Sequence, residues 1–263
     1  MNFGRTPPQA VVLRTRDGVR LHAVFRPAGA GAVAGLAVVF GHGFTGSSGK
    51  PASRRVAEVL SRHAAVVAVD FRGHGRSAGR STLGDREILD IDAAVQWARS
   101  VGYRTVVTVG CSMGGSVVVR HAAVLGGVDA VVSVSAPSRW YVRDTVPMRR
   151  VHWLVERRLG RMVARGVLGV RLAHGWDEVP ESPVEVAGRI APVPLLVVHG
   201  DADTFFPVEH PHALVAAAGD TAELWLLPGF GHAENAIDAA LADRVGRWAA
   251  ARGTADASGT IGP

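Results

Sequence analysis

Short apolar runs alternate with segments of helical spacing along most of the chain. The apolar runs, which are typical of buried strands, are Leu36–Phe40, Ala65–Val69, Thr105–Val109, Val128–Val134, Pro192–His199 and Glu223–Leu227. Helices are predicted at about Ser53–His63, Asp85–Ser100, Met113–Leu125, Pro207–Ala218 and Ala233–Ala251. Strands that alternate with helices predict a mainly parallel α/β sheet covered on both faces. At the start, Ala10–Thr15 and Val19–Arg26 flank Asp17-Gly18, which predicts an antiparallel hairpin.

The alternation stops between Ser138 and Ala187, where no strand is predicted. We therefore divide the chain into an α/β core (1–137 and 188–252), a helical insertion (138–187) and a disordered tail (253–263). Within the insertion, one amphipathic helix with a basic outer face is predicted. Its apolar residues are Val151, Leu154, Val155, Leu159, Met162 and Val163, and its basic residues are Arg149, Arg150, Arg157, Arg158, Arg161 and Arg165.

Composition excludes several classes of protein. The chain has 263 residues and a single cysteine, Cys111, so an internal disulfide is impossible. No run approaches the roughly 20 apolar residues of a membrane span, and residues 1–9 have no signal-peptide core, so we expect a cytoplasmic protein. The net charge of +6 comes almost entirely from arginine. This charge permits acidic partners, but no nucleic-acid-binding motif is present.

Ser112 is the candidate nucleophile. It lies in Gly110-Cys111-Ser112-Met113-Gly114, a G-x-S-x-G motif between a predicted strand and a predicted helix. The serine of such a motif occupies a sharp, strained turn, and the two glycines let the strand and helix approach each other. We interpret Cys111 as a small packed residue rather than as a second nucleophile.

A serine hydroxyl needs a base, and His232 is the candidate because it follows the last strand. The loop after the preceding strand offers Asp201 and Asp203. We favour Asp203 as the acid that orients the histidine, since it lies further from the strand end, and we assign Asp201 to fixing its own loop. A metal site built on His199, His210, His212 and these aspartates is disfavoured, since no familiar metal-hydrolase spacing is present.

Stabilising a tetrahedral oxyanion requires two N–H donors. The residue after the nucleophile, Met113, supplies one candidate. The loop Gly41-His42-Gly43-Phe44-Thr45 supplies Phe44 as the other, since Gly43 frees the backbone to bend. His42, His74 and His199 follow earlier strands and are interpreted as loop or supporting residues, with His42 also a candidate substrate contact.

Together these motifs resemble the α/β-hydrolase superfamily over nearly the whole core. The segments that carry the resemblance are Gly41–Gly46, Asp70–Ser77, Gly110–Gly115, Gly200–Asp203 with Pro207, and Gly231-His232. The Gly-Phe-Thr-Gly segment resembles bacterial carboxylesterases of the cinnamoyl/feruloyl type. The resemblance implies that Asp70–Ser77 is a structural turn and that the insertion occupies the position of a lid.

The sequence thus predicts a serine esterase for small to medium apolar or aromatic acyl groups, without cofactor or metal. Aromatic residues that could line its acyl pocket are Trp140, Tyr141, Trp153 and Trp176. Three alternatives remain open: a thioesterase for coenzyme A or acyl-carrier conjugates, whose acidic carriers the arginines would recognise; a C–C bond hydrolase; and a non-catalytic ligand-binding protein.

Overall fold

The computed structural model describes residues 7–255. These residues form eight strands and nine α-helices. The strands are β1 (Gln9–Arg14), β2 (Arg20–Arg26), β3 (Leu36–Gly41), β4 (Ala65–Val69), β5 (Thr105–Cys111), β6 (Ala130–Val134), β7 (Leu195–Gly200) and β8 (Ala222–Leu227). The helices are α1 (Pro51–Leu60), α2 (Ile88–Ser100), α3 (Met113–Val124), α4 (Val146–Glu156), α5 (Arg158–Val167), α6 (Pro183–Val186), α7 (Glu209–Ala218), α8 (Ala233–Ala236) and α9 (Ala239–Ala255).

All eight strands form one sheet in the order β1-β2-β4-β3-β5-β6-β7-β8. β2 is antiparallel to both of its neighbours, and the pairs from β4 to β8 are parallel. This confirms the predicted fold class. Because the central strands are parallel, the loops that follow β3, β5, β7 and β8 meet at one edge of the sheet.

The period of two along each strand divides the core between the two faces of the sheet. On β3, Ala37 and Val39 pack in a cluster with α2 and α3, whereas Val38 and Phe40 pack in a second cluster with α1 and α9. The central strands β3 to β7 are buried throughout, which explains their continuous apolar runs.

Two helix boundaries differ from the prediction because of local side-chain hydrogen bonds. α2 begins at Ile88 rather than near Asp85, because the Glu87 carboxylate binds the amides of Thr82 and Gly84 at 2.8 and 2.9 Å and holds that loop out of the helix. The predicted last helix is two helices, since Asp238 Oδ1 accepts from the amide of Leu241 and caps a new start.

The second of these helices, α9, continues to Ala255, so residues 253–255 of the predicted tail are helical. Residues 256–263 of that tail lie outside the described residues.

The insertion lies between β6 and β7 and contains α4, α5 and the one-turn helix α6. The prediction of a single helix here is wrong. Arg157 has extended backbone angles, φ −91° and ψ 139°, and separates the two helices. Gly160 lets α5 fold back against the end of α4, because a Cβ there would lie 2.7 Å from Leu154 Cα. Among residues 7–255, no helix is both long enough and apolar enough to cross a membrane.

Candidate active site

Ser112 lies in the turn between β5 and α3, with φ 51° and ψ −116°. These angles are sparsely populated for a residue with a side chain, and such strain is typical of functional sites. A Cβ on Gly110 would overlap with the carbonyl oxygen of Gly114, and one on Gly114 with that of Gly41. The glycines therefore allow the strand, the helix and the loop after β3 to meet closely beneath the serine.

The structure brings the three predicted side chains together. His232 Nε2 lies 3.0 Å from Ser112 Oγ, and His232 Nδ1 lies 2.8 Å from Asp203 Oδ2. Serine, histidine and aspartate come from the loops after β5, β8 and β7, so they converge at one edge of the sheet. A histidine held between a hydroxyl and a carboxylate can remove the hydroxyl proton while the carboxylate stabilises the imidazolium.

Asp203 is held as a carboxylate at the far end of the hydrogen-bonded chain that starts at Ser112. Its side chain is fully buried, and burial alone would raise its pKa. The hydrogen bond with His232 and the amides of Phe205 and Phe206, at 2.8 and 3.2 Å, outweigh burial and lower the pKa below its ordinary value. Phe205 also stacks on the imidazole, with ring centroids 4.2 Å apart, which fixes the plane of the ring.

The backbone beside His232 is tied to the loop that follows β6. Ala233 has φ 53°, and its amide donates to Ser135 Oγ at 3.1 Å. Ser135 follows β6 and itself has φ 49°. Two residues in a sparsely populated conformation thus support each other and fix the start of α8, on which the histidine depends.

The two predicted oxyanion donors line the same cavity as Ser112. Met113 is the first residue of α3, and Phe44 follows Gly43 in the loop after β3. Among the described residues, neither amide N–H has an acceptor. The Phe44 carbonyl accepts from His74 Nε2 at 2.5 Å, so a buried histidine of the Asp70–Ser77 turn orients the peptide that follows Phe44.

The serine opens into a cavity of about 680 Å³, within the range usual for small-molecule sites. Its aromatic lining residues are Phe44, Trp140, Tyr141, Trp176, Phe205 and Phe206. Trp140 and Trp176 pack together with centroids 5.4 Å apart, and each indole N–H is bonded to a backbone carbonyl, of Pro180 and Thr82 respectively. Because their polar atoms are satisfied, the two rings present apolar surface.

The α/β hydrolase fold family matches residues 37–167 of this sequence. This chain belongs to the α/β-hydrolase fold family. A curated relative, a non-heme haloperoxidase of Rhodococcus erythropolis, is 28% identical over 244 residues, which cover 78% of this chain and 88% of that protein.

Two of the solved structures that have a similar fold are of an esterase and of a protein bound to an aromatic acid. The Pyrococcus furiosus esterase Pf2001 has a TM-score of 0.72 at 24% identity and covers 92% of this chain and 90% of its own. Est1E of Butyrivibrio proteoclasticus, solved with ferulic acid, has a TM-score of 0.61 at 21% identity and covers 94% and 100%. At these identities the structures support the fold of this α/β-hydrolase.

Two of the predicted substrate contacts of this α/β-hydrolase, His42 and Trp153, do not line the cavity, so the prediction is wrong for both. His42 is fully buried, with Nδ1 2.7 Å from the Gly43 carbonyl and Nε2 accepting from the Phe71 amide. Burial first, and neighbouring His74 next, lower the pKa of His42 to about 3, so it is a neutral structural residue. Trp153 lies on α4 with 44% of its surface exposed and is not part of the cavity wall.

Asp201 and Cys111 lie outside the hydrogen-bonded chain of Ser112. Asp201 Oδ1 accepts from the Gly229 amide at 2.7 Å, so it ties two loops together rather than binding its own backbone as predicted. Cys111 is fully buried, and burial raises the pKa of its thiol well above the ordinary value. A protonated, buried thiol is a packing group, as the sequence suggests.

Glu234 is a residue of the site that the motifs do not indicate. It lines the cavity with 5% of its surface exposed, and its Oε1 accepts from the Gly43 amide at 2.9 Å. Its Oε2 is buried and has no partner among the described residues. Burial raises the pKa of this carboxyl group, although the Gly43 hydrogen bond partly offsets it. Glu234 therefore joins the helix after His232 to the loop that carries Phe44.

Proposed function

We propose that this α/β-hydrolase cleaves carboxylic esters of small to medium apolar or aromatic acyl groups through an acyl-enzyme on Ser112. The observation that carries the proposal is the hydrogen-bonded chain from Ser112 through His232 to a buried Asp203, at 3.0 and 2.8 Å. A hydroxyl in a strained turn, a base in contact with it and a carboxylate behind the base are the requirements of nucleophilic catalysis by serine.

In the first half of the reaction, Ser112 Oγ attacks the ester carbonyl carbon while His232 Nε2 takes the hydroxyl proton. The carbonyl oxygen becomes an oxyanion and accepts from the amides of Phe44 and Met113. The tetrahedral intermediate collapses when His232 returns the proton to the alkoxy oxygen. An alcohol leaves, and the acyl group remains bonded to the serine.

In the second half, His232 removes a proton from a water molecule, which attacks the acyl carbon. The same two amides receive the second oxyanion. Collapse returns the proton to Ser112 Oγ and releases a carboxylic acid. Asp203 stays ionised throughout and stabilises the imidazolium in both halves.

The volume and the lining of the cavity support an apolar or aromatic acyl group as the substrate. Its volume of about 680 Å³ holds a medium-sized molecule, and aromatic rings form much of its wall. The indole N–H groups of Trp140 and Trp176 already bind carbonyl oxygens, so these rings offer contact area rather than polar recognition. Such a wall favours an apolar chain or an aryl ring over a charged acyl group.

Purified protein incubated with p-nitrophenyl esters of increasing chain length tests the proposal. We expect saturable turnover and a fall in kcat of at least about 10⁴-fold for Ser112→Ala, as for other enzymes of this mechanism. A fluorophosphonate probe should label the unmodified protein and spare Ser112→Ala. If the unmodified protein turns over no ester and takes no label, the protein is not a serine hydrolase.

Matched pairs of acyl esters and acyl thioesters test the bond specificity. Faster cleavage of the oxygen ester at equal acyl group supports the proposal. Faster cleavage of the thioester would replace it with the thioesterase alternative, while the role of Ser112 would stand.

A further inference from the structure

Exposed apolar side chains concentrate on the insertion. Among residues 7–255, eleven large apolar residues are exposed, and seven of them lie between positions 138 and 187. The seven are Tyr141, Val146, Trp153, Leu159, Met162, Val167 and Val179. Single exposed apolar residues need no explanation, but a concentration on one segment indicates a surface that binds something.

Helix α5 carries three of these seven side chains. Leu159, Met162 and Val167 are 61, 67 and 77% exposed, and they fall within one stripe at about 100° per residue. Gly160 and Ala164, on an adjacent face, are buried against the rest of the protein. The apolar stripe of α5 therefore points outward instead of into the core, whereas the sequence predicts that the outer face is basic.

Arginines form the third face of α5. Arg158 and Arg165 are exposed, as is Arg157 at the helix start. None of the three has a carboxylate partner within the described part of the chain. Arg161 lies between them and donates to the carbonyl oxygens of Val155 and Glu156 at 3.0 and 3.1 Å. Unpaired guanidinium groups thus flank an exposed apolar stripe on one short helix.

We propose that α5 docks this protein on an anionic lipid surface. The apolar stripe would enter the boundary between headgroups and acyl chains, while the arginines beside it bind anionic headgroups. A second copy of this chain fits less well, since pairing two such helices about a two-fold axis brings arginines of both copies together. A soluble acidic partner would pair with the arginines but leave the stripe in water.

Docking through α5 would also bring the cavity close to lipid. The backbone of α5 at Gly160 packs on the end of α4, and Val151 and Val155 of α4 line the cavity. One wall of the cavity is therefore about one helix diameter, roughly 10 Å, from the docked surface. The binding itself does not depend on the proposed esterase activity.

Co-sedimentation with large unilamellar vesicles tests the proposal on the full chain. One set of vesicles contains phosphatidylcholine alone, and the other contains equal amounts of phosphatidylcholine and phosphatidylglycerol. We expect binding to the anionic vesicles that weakens as salt is raised, and at least tenfold weaker binding to phosphatidylcholine alone.

Two double variants separate the charge from the apolar stripe. Arg158→Gln with Arg165→Gln should weaken binding about 25-fold, since each arginine near an anionic surface contributes about fivefold. Leu159→Ser with Met162→Ser should weaken it at least tenfold. The matched controls are Arg54→Gln with Arg55→Gln, exposed on α1, and Val12→Ser with Val124→Ser, exposed on β1 and α3; both should bind within twofold of the unmodified protein.

Absence of binding to anionic vesicles, or equal binding by the α5 variants and the unmodified protein, would overturn the proposal. If the protein does not bind vesicles, two further results would also overturn the proposal. One is a dimer that dissociates in the Leu159→Ser with Met162→Ser variant, and the other is capture of an acidic carrier protein. Turnover of p-nitrophenyl acetate without lipid should stay within twofold in every variant. Vesicle binding without any ester turnover would leave the docking intact and reject the esterase proposal.

Discussion

At the scale of single residues, Glu234 has a hydrogen bond whose consequence can be measured. Its Oε1 accepts from the Gly43 amide, one residue before the Phe44 amide that is proposed to bind the oxyanion. We infer that this bond orients the loop through the acceptor oxygen rather than through the charge of the carboxyl group, because a neutral amide oxygen can accept the same N–H. An uncharged acceptor of the same shape should therefore serve as well.

Replacing Glu234 by alanine and by glutamine tests this inference. Glu234→Ala leaves the buried Gly43 amide without an acceptor, which costs about 1–3 kcal/mol, so we expect kcat to fall about 10- to 100-fold with a smaller change in KM. Glu234→Gln keeps an acceptor and should stay within about threefold of the unmodified enzyme, the range of a weakly perturbed hydrogen bond. Steady-state kinetics on a p-nitrophenyl ester measure both. Equal losses in the two variants would show that the charge matters.

The residues that could be predicted from the sequence are those whose position follows from the strand that precedes them. Ser112, Asp203 and His232 each follow a strand of the parallel sheet, and the carboxyl ends of such strands meet. Glu234 could not be predicted, since its partner lies 191 positions away and the contact depends on the direction of one side chain. The prediction that His42 contacts substrate is wrong for the same reason, because its loop lies at the site but its ring is buried.

At the scale of elements, the packing of α5 on α4 depends on Gly160. An alanine Cβ there would lie 2.7 Å from Leu154 Cα and 2.8 Å from its carbonyl oxygen, so the two helices would have to separate. Overpacking of this kind costs about 1–3 kcal/mol. Since α4 forms part of the cavity wall, the separation should also loosen substrate binding.

We expect Gly160→Ala to speed tryptic cleavage in residues 157–165 at least fivefold and to raise KM more than it lowers kcat. Gly166→Ala, on the same helix, is the matched control, because its Cβ would meet no atom within 4 Å. Alanine is also the better helix former by about 1 kcal/mol, so cleavage of this control should be unchanged or slower. Identical cleavage of both variants would mean that the α4–α5 contact does not hold the insertion in place.

The break at Arg157 marks the limit of prediction for these elements. The apolar spacing runs without interruption from Val151 to Val163, and spacing alone cannot reveal that the chain turns between two helices. The core strands were predictable because five of them are buried on both faces and so form continuous apolar runs. The insertion follows no such rule, since seven of its large apolar side chains are exposed.

At the scale of the whole molecule, four buried histidines lie beneath the loops of the site and couple stability to pH. They are His42, His74, His199 and His210. Burial is the largest cause that lowers the pKa of each, to about 3 for His42 and about 4 for His210. The folded protein thus favours neutral imidazoles, so their contribution to stability is complete above pH 6.5 and is lost as the pH falls from there towards 4. Asp90 opposes this trend, because burial raises its pKa to about 7.

His210 offers a way to isolate the effect from that of Asp90. Its Nδ1 lies 3.0 Å from the Ser138 amide and 2.8 Å from Ser138 Oγ, and the amide can only donate to an unprotonated nitrogen. The side-chain oxygen of asparagine can accept the same amide bond but does not titrate. Both versions of the protein keep Asp90, so its contribution cancels when their pH dependences are subtracted.

We therefore expect His210→Asn to reduce the slope of the unfolding free energy against pH between 5 and 6 by about 1 kcal/mol per pH unit, close to the loss of one linked proton. Urea denaturation at half-unit pH steps measures both slopes. His212→Asn, exposed on the same helix, is the matched control and should keep the slope of the unmodified protein, because folding does not bury that side chain. If His210→Asn leaves the slope unchanged, then the buried imidazole takes up a proton in the folded state, and the Ser138 amide must lose its acceptor at mildly acidic pH.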